Sequence, residues 1–186
     1  MSNKRIPNVL VLGTPGCGKT TLCLKVLEKL GEITEKDSSK KLNITHLNIA
    51  DLISEKKLYS EWDKDLDCSV YDDDLLDQEL QSFEFEKGGF LVEFHSSEFF
   101  EDGEFDRVYV LLTEIDVLRK RLEDRKYSEN KIEENIQCEI FQTCLFDSYE
   151  VFDRDKVVKL ASNTEEDLET NAQLLLDYFS TYNVLE

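Results

Sequence analysis

The stretch Asn8-Val9-Leu10-Val11-Leu12-Gly13-Thr14-Pro15-Gly16-Cys17-Gly18-Lys19-Thr20-Thr21 decides how the rest of the chain is read. Val9 to Leu12 is an apolar run ending at Gly13, the pattern of a strand buried on both faces. Gly13 to Thr20 then meets the spacing Gly-x-x-x-x-Gly-Lys-[Ser/Thr]. Beyond it, Leu22, Val26, Leu27 and Leu30 recur at helical spacing, with Gly31 as the expected stop. Strand, glycine loop and helix in that order form an anion nest: backbone N–H groups face inward and the helix N-terminus adds positive potential. Gly16 and Gly18 let backbone approach a phosphate with no Cβ in the way. Lys19 is expected to reach the β- and γ-phosphates of a nucleoside triphosphate, Thr20 to ligate Mg²⁺, and Thr21 to add a hydroxyl nearer the nucleoside. The expected nucleotide contacts of the loop are thus Gly13, Gly16, Cys17, Gly18, Lys19, Thr20 and Thr21.

Working outward, Thr45–Asn48, Phe90–Phe94, Arg107–Leu112 and Lys156–Leu160 read as further strands. Helical patterns lie between them: Ile49–Leu58, Asp72–Phe85 with Leu75, Leu76, Leu80 and Phe83 on one face, Thr113–Arg125, and a closing helix capped near Asn163/Thr164. Ser128 is a good N-cap for a long helix carrying Ile132, Ile136, Ile140 and Cys144 in one row. Glu32–Leu42 lacks an apolar period and reads as a loop, and Tyr59–Tyr71 as an acidic, irregular, mobile segment. Five strands alternating with helices imply an α/β fold: a five-stranded parallel sheet flanked by helices.

Charge narrows the partners. Among 186 residues, Lys+Arg number 22 and Asp+Glu 41, a net charge of −19. Such a surface repels nucleic-acid backbones and anionic membranes and suits a basic protein partner, or serves solubility alone. No apolar run approaches the ~18 residues of a membrane span. The start Met1-Ser2-Asn3-Lys4-Arg5 does not lead into a secretory signal. Five cysteines without a Cys-x-x-Cys pair fit reduced thiols in the cytosol or nucleus rather than disulfides or zinc.

Two groups outside the loop are candidates for chemistry. Glu93 ends the apolar run Phe90-Leu91-Val92, where a carboxylate can hold Mg²⁺ directly or through water. His95, two residues on, shares its side of an extended chain and can orient water or phosphate. The alternative is that both are ordinary polar residues at a strand end. Arg125 is the first choice for a contact to ATP phosphates and Arg121 for stacking on adenine. Their alternative is surface pairing with Glu123, Asp124 or Glu129.

With these residues in hand, the chain resembles the isoenzyme-6 class of adenylate kinases, nuclear adenylate kinase-like ATPases linked to small ribosomal subunit maturation. The matching segments are residues 13–21, Asn48-Ile49-Ala50-Asp51-Leu52, Val92-Glu93-Phe94-His95, the highly specific run Tyr127–Gln142, and Ser162-Asn163. The resemblance implies one P-loop NTPase domain of the nucleoside-monophosphate kinase type over residues 1–186, with a monophosphate-binding segment at about 48–71 and a lid at about 124–134. It also implies ATP + AMP ⇌ 2 ADP with ATP hydrolysis, catalytic roles for Lys19, Glu93, His95 and Arg125, and a part in 18S rRNA maturation beside a basic small-subunit ribosomal protein. Nucleus and cytoplasm, and a monomer, complete the expectation. Three positions depart from the family. Glu93 stands where Asp is usual, Arg125-Lys126-Tyr127 replaces Arg-Gly-Tyr, and Ser54 stands where an arginine usually serves the monophosphate, with Lys56 and Lys57 nearby. Lysine is a point charge without the bidentate grip of arginine. The residues leave three readings open: a monophosphate kinase, an ATPase switch in assembly, and a protein that holds ATP without turnover.

Overall fold

The computed structural model describes residues 5–38, 42–63 and 68–181. In chain order the strands are β1 (Val9–Leu12), β2 (Thr45–Asn48), β3 (Tyr59–Asp63), β4 (Cys68–Tyr71), β5 (Phe90–Phe94), β6 (Arg107–Leu112) and β7 (Val157–Ala161). The α-helices are α1 (Lys19–Lys36), α2 (Ile49–Lys56), α3 (Asp73–Leu80), α4 (Ile115–Asp124), α5 (Glu129–Ile140), α6 (Thr143–Val151) and α7 (Glu165–Ser180). Five strands form the expected parallel sheet in the order β2-β5-β1-β6-β7. The chain leaves β1 for the edge strand β2 and later steps from β5 to β6 across β1, which places the β1–α1 loop at the centre of the carboxyl edge, where ligands bind in open α/β sheets.

Period-two alternation along β1 distributes the core. Val9 and Val11 pack with Leu22, Cys23 and Val26 of α1 and Ala172, Leu175 and Phe179 of α7 on one face. Leu10 and Leu12 pack with Ile53 of α2, Leu76 of α3 and Leu145 of α6 on the other. All four β1 side chains have no exposed surface, which is why that strand shows no polar alternation. A smaller cluster of Leu118, Leu122, Ile132 and Ile136 joins α4 to α5. No helix among the described residues is long and apolar enough to cross a membrane.

Four sequence expectations are corrected. Gly31 does not stop α1, which runs to Lys36 because Leu30 and Ile33 continue its apolar stripe onto the sheet; Asp37 N–H then closes on Ile33 O. Residues 39–41 of the expected loop lie outside the described residues. Tyr59–Tyr71 is not irregular at its ends: β3 and β4 pair antiparallel, so the ladder satisfies backbone groups there, and residues 64–67 lie outside the described part. The helix expected over Asp72–Phe85 is shorter, from Asp73, capped by Asp72 Oδ1 from Leu75 N, to Leu80, and Leu75 turns to solvent. The long helix after Ser128 breaks at Gln142, whose φ is 51°; α5 ends at Ile140, which is 52% exposed, and beyond the break Leu145 returns to the core. The caps at Ser128 and Thr164 form as expected, accepting from Lys131 N and Asp167 N.

The continuous α1 yields a stability prediction. A Cβ at Gly31 would meet no atom within 4 Å, and the position is exposed and helical. Gly31→Ala is expected to stabilise the protein by about 0.5–1 kcal/mol, a rise of about 1–4 °C in melting temperature, read by thermal unfolding.

Candidate functional site

The loop between β1 and α1 takes its shape from glycines at positive φ: Gly16 at 95° and Gly18 at 100°. A Cβ on Gly16 would approach Leu122 Cδ2 at 2.8 Å, so α4 packs directly against loop backbone. Lys19 Nζ donates to Gly13 O at 2.5 Å and Thr14 O at 3.2 Å, which curls the side chain over the loop. Cys17 lies behind it: its side chain is fully buried, burial raises its thiol pKa, and its N–H closes the turn on Thr14 O. Gly13 and Cys17 therefore shape the loop from beneath, whereas Gly16, Gly18, Lys19, Thr20 and Thr21 line the cavity above it.

Distant segments hold the loop. Glu139 of α5 is buried and accepts Thr14 Oγ1 at 2.5 Å and Thr113 N at 2.6 Å, tying the loop to the end of β6. Ser162, just past β7, donates its hydroxyl to Cys17 O at 2.6 Å. Arg121 donates to Ser162 O at 2.8 Å, Asn163 O at 3.2 Å and, more weakly, Cys17 O at 3.4 Å. Among the described residues Arg121 thus makes no surface ion pair, and Arg119 pairs with Glu129 and Glu133.

Beside the loop, Glu93 is 2% exposed at the end of β5. Its Oε2 accepts Thr20 Oγ1 at 2.7 Å and its Oε1 accepts His46 Nε2–H at 2.9 Å. The hydroxyl of Thr20 and this carboxylate offer hard oxygen donors side by side, a donor set that suits Mg²⁺. Cys23 also lies near, since its Sγ, a His46 ring nitrogen and a Glu93 oxygen fall within 4.8 Å of one another. Burial and the Glu93 charge push the Cys23 thiol well up, so it meets Glu93 as a neutral group. His95 borders the same cavity, and burial, with Lys19 nearby, lowers its pKa to about 4. At neutral pH it is an uncharged ring packed on Phe94 and Tyr71.

Three cavities meet at the loop. One of about 510 Å³ lies between Gly16, Gly18, Thr21, Arg121, Arg125 and the Ser162–Leu168 segment. The second, about 180 Å³, lies over Lys19 and Thr20 and reaches Glu93, His95, Arg125 and Tyr127. The third, about 550 Å³, runs on past Pro15, Ala50, Phe94, His95 and Tyr127 to Tyr71, Lys131 and Asp147. Arg125 borders the first two and is exposed, and its side chain makes no hydrogen bond or ion pair within the described residues. Lys126 beside it holds φ at 59°, a conformation glycine adopts at least cost. On α2, Ser54 is exposed and borders none of these cavities, nor do Lys56 and Lys57. Lys56 instead pairs with Glu79 at 2.8 Å.

Sequence reasoning missed His46, Glu139 and Lys131. His46 was legible only through register: parallel pairing sets it opposite Leu91, two residues from Glu93. Glu139 could have been suspected as a carboxylate on the apolar side of a helix, one turn from Ile136.

A strand–loop–helix at the switch point of a parallel sheet, with an acidic strand end beside it, defines a P-loop nucleotide-binding protein. A family model described as an AAA domain matches residues 9–142. The adenylate kinase isoenzyme 6 homolog of Dictyostelium discoideum is 36% identical over 95% of this chain and 93% of its own length. That of Plasmodium falciparum is 32% identical over 96% and 98%, and the homolog FAP7 of Saccharomyces cerevisiae 31% identical over 91% and 80%. A shikimate kinase from Bacteroides thetaiotaomicron superposes with a TM-score of 0.57 over 94% of this chain and 98% of that one, at 16% identity. A gluconokinase from Sinorhizobium meliloti gives 0.55 over 96% and 94%, at 12% identity, and both likenesses are of fold. The chain belongs to the adenylate kinase isoenzyme 6 family of P-loop nucleotide kinases.

Two predictions follow from the geometry. Glu139→Ala strands the buried Thr14 hydroxyl and Thr113 N–H and is expected to cost at least about 2 kcal/mol in urea unfolding, with Glu139→Gln losing less. For His95, the folded pKa of about 4 lies below the ordinary 6.5. The stability it supports is complete above about pH 6.5 and falls away toward pH 4, because the unfolded chain takes up the proton first. His95→Gln is expected to lose less stability than the unmodified protein between pH 7 and pH 5, measured by denaturant unfolding at each pH.

Proposed function

We propose that the protein transfers the γ-phosphoryl group of ATP to AMP, giving two ADP, and hydrolyses ATP when no acceptor is bound. The observation that carries this reading is the run of three connected cavities. One suits a nucleoside between Arg121 and the Ser162–Leu168 segment, one suits phosphates above Lys19, and one beyond His95 suits a second nucleotide. A pure ATPase needs only the first two. Catalysis in such a site is positioning and charge neutralisation. Loop N–H groups and Lys19 hold the triphosphate, and Arg125 offsets charge on the group in flight. Neutral His95 stands beside the path as a hydrogen-bonding group rather than a competing charge. Thr20 and Glu93 would hold Mg²⁺, which would supply charge neutralisation for the triphosphate. Ala50, Ile53 and Tyr71 stand on the wall toward the acceptor, and residues 124–134 would serve as the lid that excludes water.

A role as an ATP-driven factor in small ribosomal subunit maturation, in nucleus and cytoplasm, is the second part of the proposal. Two features support a basic ribosomal protein as partner. The net charge is −19, and the corner between α5 and α6 exposes Ile140, Phe141 and Phe146 at 52%, 66% and 58%. Large exposed apolar groups on a highly charged surface mark interaction sites.

ADP formation from Mg·ATP is expected to rise on adding AMP, and Lys19→Ala to lower both AMP-dependent and ATP-only rates by about a hundredfold or more. A coupled assay that shows no AMP-dependent rate above the ATP-only rate would remove the kinase reading and leave the ATPase.

A further inference from the structure

The acceptor cavity lacks the cation expected from α2. Ser54, Lys56 and Lys57 border none of the three cavities. The walls that remain are ill suited to an anion. Ala50, Ile53, Tyr71 and Phe94 form an apolar side, and Glu134 and Asp147 bring carboxylates. Burial and the charges of Glu98 and Glu150 already raise the pKa of Asp147. A phosphate monoester carries about −1.5 to −2 charge at pH 7 and would be repelled from such walls.

Lys131 is the one cationic side chain among the described residues that line this cavity. It comes from the first turn of α5, where the Ser128 cap also leaves the positive end of the helix dipole. Its Nζ lies 4.3 Å from the centroid of the Tyr127 ring, and Tyr127 borders both the acceptor cavity and the phosphate cavity that holds Lys19. The ring therefore holds an ammonium at the passage between donor and acceptor.

Resting on the kinase reading, we propose that Lys131 binds the phosphate of the acceptor nucleoside monophosphate, so that α5 supplies the cation that α2 does not. A phosphate held at this passage would face Lys19 and the γ-phosphate position across Tyr127. A lysine supplies charge and single hydrogen bonds, so arginine at the same position can replace it, whereas a neutral side chain of similar length cannot.

The test measures initial rates of ADP formation with AMP varied at saturating Mg·ATP, together with calorimetric titration of AMP. Lys131→Met is expected to raise the KM for AMP on the order of tenfold to hundredfold and to weaken AMP binding in parallel, with a much smaller change in the KM for ATP. Lys131→Arg is expected to restore AMP use to within a few-fold of the unmodified protein. The double variant Lys56→Met/Lys57→Met is expected to leave the KM for AMP within about twofold. A Lys131→Met protein with an unaltered KM for AMP, or a loss carried by the Lys56/Lys57 variant instead, overturns the inference while the kinase reading stands. If the unmodified protein shows no AMP-dependent rate, that reading falls, and calorimetry decides the inference separately. AMP binding that Lys131→Met abolishes supports it, and no AMP binding by the unmodified protein overturns it.

Discussion

The carboxylate of Glu139 accepts hydrogen bonds from Thr14 in the glycine loop and from the backbone of Thr113 at the end of β6, and it does so at 6% exposure. A charge taken so far out of water is tolerated only when strong donors surround it, and here both donors belong to the machinery it positions. Through that carboxylate α5 is tied to the loop. Through Leu118, Leu122, Ile132 and Ile136 the same helix is tied to α4, which carries Arg121 and leads into Arg125. The break at Gln142 belongs to this arrangement. Ile140 ends α5 in the row of Ile132 and Ile136 but is exposed, and the bend after it returns Leu145 to the core.

Around this tie the electrostatics are divided. The chain is strongly acidic, yet Lys19, Arg125 and Lys131 face the connected cavities, and Arg121 is spent on carbonyls of the loop and of the segment after β7. Cations gathered in a cleft focus the field there, which lets an acidic protein hold polyphosphate while its outer surface repels other polyanions. His95 carries no charge at neutral pH because it is buried beside Lys19, so the phosphate path meets a neutral ring.

The sheet was legible because buried parallel strands leave unbroken apolar runs, and the loop because its spacing is rare outside phosphate sites. Of the four corrected elements, three show where the local signal falls short. Gly31 lowers helix propensity by only about 1 kcal/mol relative to alanine, and the packing of Leu30 and Ile33 carries α1 through it. The ends of Tyr59–Tyr71 form β3 and β4, where Tyr59, Trp62, Val70 and Tyr71 are residue types that favour strands and pairing satisfies the backbone groups. The single row expected after Ser128 presumed one straight helix, and no residue before Gln142 announces the left-handed turn.

From its sequence alone, the chain determined an α/β fold with five parallel strands, a phosphate-binding loop at 13–20, and Glu93 and His95 at the end of the neighbouring strand. These are local properties, since periodicity and glycine spacing act within a few residues along the chain. Tertiary structure alone decided that Glu139 and Ser162 anchor a loop more than a hundred residues away, that His46 meets Glu93, and that Lys131 rather than Lys56 or Lys57 lines the cavity beyond His95. Those pairings follow from strand order and helix direction, and a helix face becomes an inner or an outer face only when something packs against it.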